Sequence, residues 1–180
     1  MTMTLRDQRG FTVAEVLVAA VIVSLAFVAL GAIVPIATYA VQEGYQLSTA
    51  TFLADQKMEQ IKNLPWTSTP ANDCLGVSAS STAAPKTPGS ATCTLGATFV
   101  NPGGALTWEA DESTTSITNF NGYSRQVRVT DCGAGAGCMG IVDPGMRFVT
   151  VTVSYTSLTA TGNAASGTKS YSVSMIVSQR

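Results

Sequence analysis

The sequence predicts an α+β protein: a long N-terminal α-helix, membrane-spanning in its first half, packed on an antiparallel β-sheet domain. Three observations carry that prediction. From Val16 to Gln42 no charged residue occurs, and as a helix this stretch would reach roughly 40 Å, more than the ~30 Å hydrocarbon core of a bilayer. Beyond Gln42, apolar residues recur at three- and four-residue spacing as far as Leu64, the pattern of an amphipathic helix. After residue 120, three segments alternate apolar and polar side chains, the pattern of half-buried strands.

The apolar run is preceded by a short segment holding Arg6 and Arg9 against Asp7, and this excess of basic charge places the N-terminus on the cytoplasmic side by the positive-inside rule. A secretory signal peptide has an apolar region of about 7–15 residues and a small-x-small cleavage site. This run is longer and ends in Ala40-Val41-Gln42. On length alone an ordinary signal anchor stays open. Glu15 argues for more, because a carboxylate near the apolar end of a span costs on the order of 2–3 kcal/mol unless it is paired. The run contains no cation. Cleavage after Gly10 would create one, the α-amino group of Phe11, four residues from Glu15 on a helix and able to meet it or the same carboxylate of a neighbouring subunit.

Residues 9–39, with Arg9-Gly10-Phe11-Thr12-Val13-Ala14-Glu15 ahead of the apolar helix, resemble the N-terminus of type IV pilins and of the related type II secretion pseudopilins. The resemblance implies a pilin fold. It also implies a leader removed by a prepilin peptidase between Gly10 and Phe11, N-methylation of Phe11, and assembly through Thr12 and Glu15, with Glu15 neutralising the terminal amine of an adjacent subunit. The implied partners are other pilin subunits, the peptidase, an inner-membrane assembly platform, and the membrane itself before assembly. The chain would be a single-pass bacterial inner-membrane protein, then part of an extracellular pilus at the cell surface. Its C-terminal part is similar to minor pilins of the pilus-modification (PilV) type. The reading is therefore a structural subunit, a minor pilin of a type IV pilus. Its alternatives are a type II secretion pseudopilin, or a ligand- or DNA-binding pilin or adhesin.

Four segments are expected in order: a leader at 1–10, a transmembrane and filament-core helix at 11–41, an amphipathic half of the helix at 42–64, and a β-sheet domain at 65–180 entered through a loop at 65–94. In the amphipathic half, Leu47, Ala50, Ala54, Met58, Ile61 and Leu64 form the stripe a sheet should cover, with Glu43, Gln46, Asp55, Gln56, Lys57, Glu59 and Lys62 largely on other faces. Pro65 ends the helix, because the residue before a proline disfavours the α conformation. Pro35 lies inside the apolar run, where it removes a backbone hydrogen bond, so a kink or loosened turn is expected. The stretch from Pro65 to Thr94 is rich in Ser, Thr, Ala and Pro without periodicity and reads as a long surface loop.

The strands follow. Val127 to Val129, Val149 to Tyr155 and Tyr171 to Val177 should form an antiparallel meander over the helix stripe, with Phe99-Val100 and Leu106 to Trp108 as shorter additions. Four cysteines in an exported domain without any histidine favour disulfides over a metal site. They allow three connectivities, of which Cys74–Cys93 with Cys132–Cys138 is preferred. The second would close the Gly133-Ala134-Gly135-Ala136-Gly137 loop.

Composition speaks against catalysis. The absence of histidine removes the usual triad base and the commonest zinc ligand, and no glycine-rich phosphate loop precedes a helix. No catalytic residue, cofactor or metal is assigned. Charged residues are 12% of the chain against about 25% in ordinary domains, so the surface should be polar but weakly charged. Net charge is -1, and removing residues 1–10 takes away two arginines and one aspartate to leave -2. No basic patch is evident, so nucleic acid is not an expected partner. Glu109, Asp111 and Glu112 form an acidic cluster that reads as a solvated turn, with calcium as the alternative. Arg125, Arg128 and Arg147 read as solvent-facing strand positions, with an anionic ligand as the alternative.

Overall fold

The computed structural model describes residues 10–69, 73–77, 99–100, 106–107, 109–157 and 167–179. Helix α1 runs Val13–Lys62, followed by strands β1 Phe99–Val100, β2 Leu106–Thr107, β3 Tyr123–Asp131, β4 Met146–Thr156 and β5 Thr168–Ser178. Two compact units meet between Gln42 and Glu43. The α+β arrangement anticipated from the sequence, a long apolar N-terminal helix and a three-stranded antiparallel sheet, is present.

In the first unit the helix is apolar and long enough to cross a membrane, and none of its most apolar window is buried. Leu17, Ile22, Phe27, Leu30 and Ile36 are exposed, which is tolerable in lipid or against other helices and costly in water. The few hydroxyls satisfy themselves locally, Ser24 Oγ donating to the Ala20 carbonyl at 2.7 Å and Thr38 Oγ1 to the Pro35 carbonyl at 2.8 Å. Helical structure continues through Pro35 without a break.

The second unit is built on the remainder of α1 and the sheet β3-β4-β5, a meander with β4 at its centre. Register pairs Val127 with Val151 and Val151 with Val173. Along β4 burial alternates without error, so Arg147, Val149, Val151, Val153 and Tyr155 all face inward. Val149, Val151, Val153 and Tyr155 meet Ala50, Leu53, Ala54, Met58 and Ile61 of the helix in one core. Edge strand β5 is less covered: Tyr171, Val173 and Met175 are only partly buried, and Val177 alone is fully so. On the opposite face Thr150 bonds Ser174 and Thr152 bonds Ser172, each at 2.9 Å, cross-strand hydroxyl pairs that support the register.

Several details depart from the sequence reading. Leu47, assigned to the buried stripe, is 47% exposed, whereas Leu53 is fully buried. Lys57, assigned to a polar face, is buried because Glu109 comes to meet its ammonium group. The helix stops at Lys62, and its last turn tightens, with Leu64 N–H donating to the Ile61 carbonyl at 3.0 Å. Much of what looked like the start of a surface loop is core: Trp66, Cys74, Leu75 and Val77 are buried. The rest of the expected loop, 78–94, lies outside the described residues, as does Trp108. The short pair β1 and β2 is antiparallel, with Phe99 opposite Thr107.

Candidate processing and assembly site

The head of α1 is closed by a reciprocal pair. Thr12 N–H donates to Glu15 Oε2 at 2.9 Å, Thr12 Oγ1 donates to the same oxygen at 3.0 Å, and Glu15 N–H donates to Thr12 Oγ1 at 3.2 Å. This is a capping box, with threonine at the N-cap and glutamate three residues on, satisfying donors that the first helical turn leaves open. A carboxylate here also lies at the positive end of the helix dipole. Phe11 projects one residue ahead of the cap and is 86% exposed.

Gly10 has no structural duty that explains it. Its φ is not left-handed, and a methyl group added there would meet no atom within 4 Å. The fold therefore does not select glycine at this position. A free amine at Phe11 would place a cation one residue before Thr12, next to the carboxylate that Thr12 holds. Methylation of that amine preserves its charge.

Residues 5–31 match the family model for the prokaryotic N-terminal methylation motif. No curated protein and no solved structure gives a match. The match spans the Gly10-Phe11 junction, Thr12, Glu15 and the first half of the apolar run. It supports a structural subunit of the type IV pilin or pseudopilin class, one that prepilin peptidase would process and that would assemble with other such subunits. Together with the apolar helix it fits membrane anchoring before assembly at the surface.

The remaining candidates lie in the second unit. The acidic cluster is not a solvated turn. Glu109 pairs with Lys57, Asp111 Oδ1 lies 2.6 Å from Arg128 Nη1, and Glu112 Oε2 lies 2.5 Å from Arg125 Nε. Arg125 also donates to the Leu53 carbonyl at 3.0 Å, tying β3 to the helix. Nor are all three arginines solvent-facing: Arg125 and Arg147 are buried, and only Arg128 keeps partial exposure. Arg147 forms a bidentate pair with Asp73 at 2.6 and 2.5 Å and lies 4.3 Å from the centre of the Trp66 ring. Asp111 raises the Arg128 pKa above its ordinary value by hydrogen bonding, and burial raises the Tyr123 and Tyr155 hydroxyls.

Cys132 and Cys138 are joined in a disulfide. Cys74 is also disulfide-bonded, and Cys93, its expected partner, lies outside the described residues. The bridge sits on a tight fold: Gly137 has φ 71°, and a side chain there would collide with the Ile141 carbonyl. Beyond it Cys138 and Ile141 exchange backbone hydrogen bonds of 2.8 and 2.9 Å around Met139 and Gly140, whose φ values are 51° and 84°. Positive φ at both central residues is the signature of a two-residue type I′ hairpin. Holding a methionine there costs roughly 1–2 kcal/mol. Nothing in the sequence pattern marks this strain apart from the Met139-Gly140 pair itself.

The short loop bounds what its bridge contributes. Replacing Cys132 and Cys138 together by serine is expected to lower unfolding free energy by about 2 kcal/mol, the chain-entropy value for so small a ring. Urea denaturation of the detergent-solubilised chain measures this, and an unchanged midpoint would show that the loop is held by its turns alone.

Proposed function

We propose that this chain is a filament subunit, a minor pilin of a type IV pilus, acting by polymerisation rather than turnover. The observation that carries the reading is the Thr12–Glu15 capping box at the head of a helix whose run from Val16 to Gln42 is uncharged and exposed along almost all its length, directly after a glycine the fold does not need. The N-terminus lies in the cytoplasm and residues 1–10 are the leader. Prepilin peptidase cuts between Gly10 and Phe11 and methylates Phe11. Residues 11–41 are stored in the inner membrane and pass into the filament core through the assembly platform. There Glu15, oriented by Thr12, meets the methylated amine of a neighbour. The domain from residue 65 faces outward and carries the Cys74–Cys93 and Cys132–Cys138 bridges.

The DNA- or ligand-binding alternative is weakened by the commitment of Arg125, Arg128 and Arg147 to carboxylates within the chain. A pseudopilin would share every N-terminal feature, and gene neighbours encoding a secretin with exported cargo rather than retraction machinery would mark it.

Mass spectrometry of filaments sheared from cells tests the reading. The expected N-terminus is N-methylated Phe11, and an assembled chain beginning at Met1 would refute processing. Gly10→Val should leave the leader attached in nearly all molecules while the extracted chain keeps its unfolding temperature, since the added side chain has open space around it. Normal cleavage of that variant would remove Gly10 from the site.

A further inference from the structure

Four of the chain's five tyrosines stand at one end of the second unit, and the fifth, Tyr39, falls in the last turn of the apolar run. Tyr123 opens β3 and lies opposite Tyr155 near the close of β4, with the two rings 5.7 Å apart. Tyr155 in turn pairs with Lys169 of β5, two residues before Tyr171. The Tyr123 hydroxyl donates to the Gln46 carbonyl at 3.5 Å, next to Tyr45, which is 73% exposed. Tyr155 is buried, while Tyr123 and Tyr171 keep partial exposure.

The same end of the sheet is fastened to the first residues beyond the apolar run. Glu43 pairs with Lys169 and accepts from Ser157 Oγ at 2.8 Å, and Gln46 Nε2 donates to the Thr156 carbonyl at 3.2 Å. Glu43 follows Gln42 directly, so at any angle between the two units their α-carbons are about 4 Å apart. Charge is sparse here: Gly44 to Ala54, Ser113 to Ser124 and Phe148 to Ser157 hold none, and Glu43 and Lys169 face each other. The opposite end of the sheet carries Asp131 and Arg147, with Asp73 against the latter. Nine residues of β3 separate the two ends, roughly 27 Å at about 3.4 Å per residue.

We infer that before assembly this tyrosine end of the sheet rests in the lipid headgroup layer of the leaflet where the span ends. The layer is about 5–8 Å thick on each side of the hydrocarbon, and Tyr45, four residues beyond Val41, stands roughly 6 Å further along the helix. Tyrosine concentrates at that depth, because its ring is apolar and its hydroxyl stays wet. The apolar run is longer than the hydrocarbon core and fits it by tilting, which keeps Val41 at the boundary. With Glu43 and Lys169 paired, the contact needs no anionic lipid, unlike that of a basic surface helix. The tether selects lipid as the occupant: the span delivers this end of the sheet to the bilayer surface, whereas nothing ties another protein there. The inference rests on the membrane storage in the reading above and extends lipid contact from the helix to the sheet.

Photo-crosslinking of the full-length chain in phosphatidylcholine vesicles tests it. A photoreactive amino acid is placed at Ser170, exposed beside Lys169 on β5, at Phe27 within the span, or at Met139, exposed beyond the far end of β3. Lipid adducts should form at Ser170 and Phe27 and be at least about fivefold scarcer at Met139. Adding phosphatidylglycerol or salt should change the Ser170 yield less than about twofold, since the contact carries no net charge. Tyr45→Ser should cut the Ser170 adduct about fivefold, the effect of losing one partly buried ring, with unfolding temperature unchanged. Tyr45→Trp, which restores an interfacial aromatic, should keep it. An adduct at Ser170 that needs anionic lipid, that joins another protein instead, or that survives Tyr45→Ser in full would overturn the contact. Lipid at Phe27 but none at Ser170 would overturn it while leaving membrane storage intact. No lipid at Phe27 would overturn both.

Discussion

Asp73→Ala is expected to lower the unfolding free energy by about 3–5 kcal/mol, the cost of leaving a buried charge without its partner. Arg147 and Asp73 are each 3% exposed and share two hydrogen bonds. The carboxylate also accepts from the N–H groups of Leu75 at 2.9 Å and Gly76 at 2.7 Å. Removing it orphans two backbone donors as well as a guanidinium. It also releases the segment that carries Cys74, Leu75 and Val77 into the core. Thermal unfolding of the detergent-solubilised chain should fall by about 10 °C or more. Asp73→Asn, which keeps an oxygen for the backbone but loses the charge, should fall less. Replacing Asp73 by leucine and Arg147 by methionine together should recover only the share due to the unpaired guanidinium, because a buried pair can be exchanged for apolar packing at small cost while the Leu75 and Gly76 N–H groups stay without an acceptor. A single Asp73→Ala change costing under about 1 kcal/mol would mean that water reaches Arg147, as it does for surface pairs.

For assembly, Glu15→Gln should be the most damaging conservative change. Glutamine fills the same capping-box position as glutamate, so Thr12 keeps a partner and the helix keeps its start. Only the charge is lost. If Glu15 meets the methylated amine of a neighbour inside an apolar core, the variant leaves that amine buried and unpaired, a penalty of about 3–5 kcal/mol. Incorporation should then fall by two orders of magnitude or more at about 1.4 kcal/mol per tenfold, while cleavage at Gly10 stays within about twofold of wild type, the peptide bond being outside the pair. Glu15→Ala should assemble no better and should also fray the first turn, since a lost cap costs about 1 kcal/mol. Quantitative mass spectrometry of membranes and sheared filaments reads both numbers. Glu15→Gln filaments at wild-type abundance would rule out a charge role and leave Glu15 as a helix cap.

The elements that were legible in the sequence are those whose signal is carried by neighbours along the chain. Val149-Val151-Val153-Tyr155 alternates because a strand turns successive side chains to opposite faces, and β4 buries that set. The cap at Thr12 and Glu15 was missed although both halves lie within one helical turn, because Glu15 was read only toward the amine that cleavage would create. The other illegible features depended on distant partners. Lys57 became a core residue because Glu109 approached it. The arginines left solvent because carboxylates 13 to 74 residues away closed on them. Trp66, Leu75 and Val77 were hidden in a stretch whose Ser, Thr and Pro content signals loop, and burial there depends on the Asp73–Arg147 pair rather than on periodicity.

The sequence by itself determined the helix, its membrane-length apolar run, the Gly10-Phe11 junction, the Glu15 carboxylate and the order of the three strands. All are short-range patterns, and period, length and charge placement suffice to specify them. Only the tertiary structure decided which charges are spent inside the chain and which apolar groups are left outside it. Ion pairs and surface exposure depend on what the fold brings together from far apart, and that is how Arg147 came to be buried and Met139 exposed.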